Sequence, residues 1–494
     1  MSTALIIALA YFLVLSGGVS LWARKRVKSG RDFVTGGGAL AWPLVMAGFV
    51  LAPLGSGHTL SLWESSSKLG AAVLWWAIMS GGLMVPLFLL WFGPWFRRLG
   101  VQTFPEGMGK IFGEKIGWVI SAVFPAQLLG ICIAEVLATA TAFYALAGGK
   151  EDVLPARYII LAIVLTILYI FVGGLMQAAW MNLFNATMLI LGSFVAVFYT
   201  GGWLSDNGYG GYEGIAAHYA GAGEAWKTTL MNFSPDVVFT LIIPCLILTI
   251  FMQSASQVQN QPMLLARSES DVRRGVFWAA FINSMAAYPW VILGLVGMAL
   301  PVLAVAPNLS VPAFAQMAFP PWLLGILMTS LLAATLSTTG GLILGASHII
   351  VNDILKRALH PKMDDKTFLV LTRAMIVVCA LLVIIPALRL PGILPLLYWV
   401  FSFAVPVFGV YLIGMLWQVN KVAAWTTLLA GYAANFYGTF AKVGWLPGQI
   451  GPSVQNVYLT IFATICFGVV LNLVLPGQPG YLRQLKAKKQ ESGN

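Results

Sequence analysis

Charge is scarce in this sequence. Only 9% of its 494 residues are Asp, Glu, Lys or Arg, against 59% hydrophobic, and the mean hydropathy is +0.86. A soluble domain carries about a quarter charged residues. A chain this poor in charge cannot cover its own surface in water, so most of that surface must face lipid. Cysteine and histidine are rarer still. Cys132, Cys245, Cys379 and Cys466 all fall in apolar runs with no CxxC or Cys/His spacing, which argues against a disulfide framework and a metal site. His58, His218, His348 and His360 are too scattered to form a transition-metal cluster. No convergent nucleophile and base mark a membrane-embedded enzyme, and no filter motif marks a channel.

What is present is a series of apolar stretches, each near the ~20 residues that cross a bilayer. They fall near 3–23, 42–66, 71–95, 117–147, 157–172, 175–200, 236–258, 275–300, 321–355, 367–388, 392–417, 422–440 and 454–476. Thirteen spans put the two termini on opposite sides. The formal charge of +11 would suggest nucleic acid until the cations are placed. With the N-terminus outside, 22 of the 28 Lys and Arg fall in inner connections, leaving Lys68, Lys150, Arg157, Lys227, Arg389 and Lys442 outside. That is the positive-inside pattern of a multi-pass protein of a bacterial-type inner membrane, with a cytoplasmic C-terminus. The excess charge is a topology signal, and nucleic acid is not an expected partner. The first span is followed at once by the basic run Arg24–Arg31, which suits an anchor better than a cleaved signal peptide. The stretch 201–235, rich in Gly, Tyr and Trp, is expected outside, and the polar tail from Gln478 is expected to be disordered.

Two stretches carry chemistry. In the second span, Leu51-Ala52-Pro53-Leu54-Gly55-Ser56-Gly57-His58 interrupts an apolar run. Pro53 lacks a backbone donor and the glycines weaken a helix. Unpaired backbone at that depth is tolerated only inside protein or beside a wet cavity. The segment is either a packed Pro kink or a discontinuous helix whose freed carbonyls hold ions and solute. Further along, Ala333-Ala334-Thr335-Leu336-Ser337-Thr338-Thr339-Gly340-Gly341 sets adjacent hydroxyls among small residues. Such hydroxyls serve helix–helix packing, or they supply hard oxygens to sodium.

At these two stretches the sequence resembles the sodium/solute symporter family. Leu54-Gly55-Ser56-Gly57-His58 is similar to the Ile-Gly-Ser-Gly-His of its sodium/glucose branch. Leu332–Ser347 is similar to the family's Ala-Ala-x-x-Ser-(Ser/Thr)…Ala-Ser helix, and Asn352-Asp353-Ile354-Leu355-Lys356-Arg357 to its Asp-Ile-Tyr-Lys-Arg. Thr103-Phe104-Pro105-Glu106, Trp180-Met181-Asn182 and Arg267-Ser268…Arg273-Arg274-Gly275 add matches in order. The resemblance implies an all-α polytopic membrane protein with an inverted five-plus-five repeat of the LeuT type. The repeats would cover 42–200 and 236–417, with residues 1–41 (one helix and a basic loop) before, the loop 201–235 between, two helices over 418–476 after, and a cytoplasmic tail at 477–494.

It also implies a symporter working by alternating access, with sodium and a small solute as partners beside the lipid bilayer. The sodium would be held by the carbonyls of Leu51, Leu54 and Ala334 and the hydroxyls of Ser337 and Thr338. Members with a second sodium use an Asp and two Ser where this chain has Asn182, Gly340 and Gly341, so a single sodium is expected. The sugar branch's Tyr and Glu align with Met252 and Ala77, which disfavours a hexose. The expected solute cavity is lined by Ser56, Gly57, His58, Thr59, Trp75, Trp76, Glu135, Gln253 and Ser254, with Gln127 and Ser402 as weaker candidates. No Lys or Arg lies deep in a span, so a solute carboxylate would rest on backbone amides at the broken helix, while Glu135 or Glu64 could hold an amine. The expected solute is therefore amino-acid-like, amine-bearing or a small carboxylate. A proton-coupled carrier of the same fold is the alternative, and the oligomeric state stays open.

Overall fold

The computed structural model describes residues 3–25, 33, 40–84, 87, 96–148, 154–171, 174–300, 307–388, 393–442 and 456–492. Arg26–Arg31, Lys150 and Arg389 fall outside these, as do the side chains of Arg24, Ser56 and Lys442.

The described chain is almost wholly helical. Nine helices are long and apolar enough to cross a membrane among the described residues, and two shorter apolar ones, Trp42–Leu51 and Ala156–Ile170, accompany them. In chain order these are α1 (Thr3–Arg24), α2 (Trp42–Leu51), α3 (Ser56–Leu69), α4 (Trp75–Met84), α5 (Phe104–Phe112), α6 (Glu114–Leu146), α7 (Ala156–Ile170), α8 (Gly174–Asp206) and α9 (Gly211–Gly221). Then come α10 (Pro235–Gln253, with two π-helical turns), α11 (Gln257–Leu265), α12 (Glu269–Ala286), α13 (Tyr288–Ala299), α14 (Ser310–Ala318) and α15 (Pro321–His348, continued as a π-helix over Ile349–Leu359). The last are α16 (Asp365–Ala387), α17 (Ile393–Ser402), α18 (Ala404–Leu416), α19 (Lys421–Lys442), α20 (Asn456–Val474) and α21 (Tyr481–Ser492).

Burial sorts these helices into a centre and a rim. The α15 span is 89% buried in its most apolar window, whereas those of α1, α10, α16 and α20 are 28–33% buried. Val14, Ile385, Phe462 and Val474 project outward from the rim helices as only lipid would allow. α15 packs against α1, α6 and α8, and small residues let the backbones close. A Cβ at Gly325 would come within 2.7 Å of Ile7, and one at Gly340 within 2.8 Å of the Tyr169 ring. On the other side of the site α2 lies along α12, with Val45 2.8 Å from where a Gly275 Cβ would stand.

Two polar segments are more ordered than their composition suggests. Part of 201–235 continues α8 to Asp206 and forms α9, which docks by the Tyr219 hydroxyl donating to Leu295 O at 2.8 Å. The tail from Gln478, expected to be disordered, pairs Gln478–Pro479 antiparallel with Gln418–Val419 and then forms α21. The Gly480 amide donates to Trp417 O at 2.8 Å, and Tyr481 and Leu482 pack on the core, so two apolar anchors hold an otherwise polar helix.

Candidate ion and solute site

The second crossing is broken where the sequence turns to Pro and Gly. α2 ends at Leu51, Ala52–Gly55 form a non-helical link, and α3 starts at Ser56 after an extended Gly55 (φ −76°, ψ 175°). A new helix start in the protein interior leaves amide donors that need partners. Glu135 of α6 supplies one: its Oε2 accepts from the Gly57 amide at 2.9 Å, and the residue is only 3% exposed. The two glycines are what admit it. A Cβ on Gly55 would run into the Glu135 carboxyl, and one on Gly57 would stand 2.9 Å from Oε1.

The link faces the hydroxyls of α15. Thr338 Oγ1 donates to Leu51 O at 2.8 Å and to Ala334 O at 3.1 Å, and Ser337 Oγ donates to Ala334 O at 2.7 Å. Four of the five expected sodium ligands thus meet in one hydrogen-bonded knot, and the fifth, Leu54, is buried three residues along the link. Hard oxygens, carbonyl and hydroxyl, are the donors an alkali cation requires when it sheds water. A hydroxyl that donates to a carbonyl can turn its proton aside and present a lone pair instead.

Beside this knot lies a cavity of about 60 Å³, with His58, Trp76, Ser80, Glu135, Gln253 and Gln259 among its polar walls. A wider vestibule of about 330 Å³, bordered by Glu64, Lys68 and Asp236, opens beyond it. His58, Trp76 and Leu397 border both spaces and so form the partition between them. The His58 imidazole meets Trp76 edge to face at 5.6 Å. Gln253 Nε2 donates to Ser80 Oγ at 2.6 Å. Four buried polar atoms of the wall have no hydrogen-bond partner: His58 Nε2, Gln253 Oε1 and both amide atoms of Gln259. Such atoms are costly unless something polar meets them.

The expected lining residues therefore divide. Gly57, His58, Trp76, Glu135 and Gln253 are brought to the cavity or its edge. Thr59 lines neither space, and its hydroxyl donates back to Gly55 O at 3.0 Å. Trp75 points away, its indole donating to Leu230 O at 3.0 Å. Ser254, Gln127 and Ser402 are buried but line neither space. Sequence reasoning missed Ser80 and Gln259. The available signal for the latter was the amide run Gln257-Val258-Gln259-Asn260-Gln261 in an apolar context. That run begins at a second helix break: Ser256 is extended between α10 and α11, and Asn260 Nδ2 bridges the gap to Ser254 O at 2.8 Å.

A profile of the sodium:solute symporter family matches residues 33–431. The chain belongs to this family. It is a sodium-coupled solute symporter, a transporter rather than an enzyme. The sodium/glucose cotransporter of Vibrio parahaemolyticus is 22% identical over 93% of this chain and 88% of its own length. The sodium/myo-inositol cotransporter 2 of Rattus norvegicus is 24% identical over 87% of this chain and 69% of its own. In three dimensions the chain resembles a Na+-coupled sialic acid symporter solved in a substrate-bound, outward-open state, with a TM-score of 0.81, 17% identity and coverage of 97% and 99% of the two chains. A nucleobase-cation-symport-1 family transporter in a closed conformation aligns with a TM-score of 0.55, 13% identity and coverage of 90% and 95%. The fold is of the LeuT type.

Within this symporter the positions linked by resemblance to a second sodium are filled by side chains. The Tyr169 hydroxyl donates to Asn182 Oδ1 at 2.5 Å and accepts from Asn185 Nδ2 at 3.2 Å, while the Tyr169 ring packs on Gly340. Elsewhere in the bundle, hydrogen bonds join segments distant in sequence. Gln257 accepts from the Phe104 amide at 3.0 Å and donates to Gln102 O at 3.1 Å. Asp353 accepts from Thr103 Oγ1 at 2.8 Å and Ser121 Oγ at 3.2 Å. Arg97 donates to Met263 O and Ala266 O at 2.7 and 2.8 Å.

Proposed function

We propose that this symporter moves one sodium with one small polar solute per cycle, the sodium resting on Leu51, Leu54, Ala334, Ser337 and Thr338 and the solute in the adjoining cavity. The observation that carries the reading is the Thr338–Leu51 hydrogen bond, which joins the broken crossing to the hydroxyl-bearing helix beside that cavity. An ion there would tie α2 to α15 and fix the link that forms one wall, so sodium and solute favour the same conformation and each raises the other's affinity. Two inverted five-helix repeats over 42–200 and 236–417, with one helix before and two after, would rock about this point. The basic end, with Arg97 and Arg267, faces the cytoplasm of a bacterial-type inner membrane. The Tyr169–Asn182 contact supports a count of one sodium. Met252 in the wall and the fully buried Ala77, where the resemblance puts the sugar branch's Tyr and Glu, support a solute other than a hexose.

The test is uptake into proteoliposomes of a mixed solute pool, read by mass spectrometry, with an inward sodium gradient against an equal potassium gradient. A proton gradient at zero sodium is the second arm. Accumulation that follows sodium alone supports the reading, and accumulation that follows protons alone ends it.

A further inference from the structure

At the helix start that a solute carboxylate would need, the Gly57 amide is already taken. In a broken crossing the freed amides at the head of the second half, with the positive end of its dipole, form the natural place for an anion. Here Glu135 holds that place through the Gly57 amide, with Gly55 and Gly57 shaped around its carboxyl. A carboxylate on the solute would meet a protein carboxylate instead of bare amides, and no Lys or Arg is among the described residues of the cavity wall to offset it. The vestibule leading in adds Glu64 and Asp236 against a single Lys68.

The unpartnered atoms of the wall say what the solute should bring. Gln253 Oε1 and Gln259 Oε1 are acceptors, Gln259 Nε2 is a donor, and His58 Nε2 can be either. All three side chains are more than nine-tenths buried and border the same space. Acceptors outnumber assured donors, so the matching ligand presents several donor hydrogens and at most one strong acceptor, and the nearby Glu135 carboxyl favours N–H groups that can carry positive charge. We infer that the solute is a small amine- or amide-bearing compound without a carboxylate, and that Glu135 is the specificity residue that turns carboxylates away. This rests on the reading of the cavity as the solute site.

Three small probes with the same ethyl tail separate the possibilities: n-propylamine, and the isosteric pair propionamide and propionate. Their binding to the purified full chain in sodium chloride is measured by thermal shift and by calorimetry, with potassium chloride as control. Propylamine and propionamide are expected to bind with sodium present, and propionate at least tenfold more weakly. In Glu135→Gln the preference for propionamide over propionate should shrink to within about threefold, and stabilisation by sodium alone reports that this variant is folded. Gln259→Leu removes a side chain with no hydrogen bond to lose and should weaken propionamide at least fivefold. Propionate binding as tightly as the other two, neither propylamine nor propionamide binding, or a Gln259→Leu variant with unchanged propionamide affinity overturns the inference. Loss of the sodium response itself would instead sink the symport site, so the two failures are told apart.

Discussion

The Gly57 amide donates to Glu135 Oε2 at 2.9 Å across 78 residues of sequence, and that bond starts a helix in mid-bundle. It gives the Gly55-Ser56-Gly57 spacing a physical reason, since each glycine leaves the room that the carboxyl fills. Gly57→Ala should therefore cut sodium-driven uptake at least tenfold by displacing the cap, a loss of about 1–3 kcal/mol for an unsatisfied buried donor. Glu135→Asp withdraws the carboxyl by one methylene. The double variant should recover part of the loss, and a double variant no better than Gly57→Ala would show that the clash lies elsewhere.

The hydroxyl pair on α15 sets the second expectation. Ser337→Ala and Thr338→Val each remove one oxygen while keeping the helix, because both side chains bond chiefly to backbone carbonyls. A bond to a charged partner is worth about 1.5–3 kcal/mol, and 1.4 kcal/mol is tenfold. The half-saturating sodium concentration should rise about tenfold or more in each, with expression unchanged. Sodium titration of uptake decides it, and unaltered sodium dependence in the double variant removes the site.

The proposed one-sodium stoichiometry can be tested at Tyr169. Its ring rests against Gly340 and its hydroxyl bonds to Asn182, so the groups that would surround a second ion face a phenol instead. Uptake should depend on sodium with a Hill coefficient near one. For a neutral solute the reversal potential should report one charge per cycle. Two charges, or a coefficient near two that Asn182→Ala abolishes, would contradict the one-sodium count.

How much of this was legible beforehand depends on the residue. The break at Ala52–Gly55 and the hydroxyls of Ser337 and Thr338 stand out because Pro, Gly, Ser and Thr interrupt apolar runs, and local composition suffices to see them. The break at Ser256 carries neither Pro nor Gly, so local composition shows only the plain end of a span there, and nothing in it singles out Gln259. The sequence offers Trp75 and Trp76 alike as lining residues, although neighbours on a helix point about 100° apart. Only Trp76 can face His58 while Trp75 reaches Leu230. Glu135 was visible as a buried charge, but its partner is distant in sequence, and what it does emerges only when α6 is laid against α3.

The hydrogen bonds of Gln257 yield the last prediction. Gln257 heads α11, directly after the second break, and its amide both accepts from Phe104 N–H and donates to Gln102 O. It thereby pins the start of α5 to the segment that carries Gln259, two residues on, in the cavity wall. Asp353, from the π-helical end of α15, holds Thr103 and Ser121 on the same side. Opening the basic end must break these bonds, so they weight the equilibrium toward the closed form. Gln257→Ala removes two of them at a net cost of about 1–3 kcal/mol, enough to raise the open population about 5- to 150-fold. Cys245 lines the cavity and reports on access. With Cys132, Cys379 and Cys466 changed to serine, a membrane-impermeant maleimide applied to the basic end should label Cys245 at least fivefold faster in Gln257→Ala than in its parent. Saturating sodium should slow that labelling, because an ion on Leu51 and Thr338 favours the opposite conformation. Equal labelling rates in the two proteins would show that Gln257 does not hold the gate.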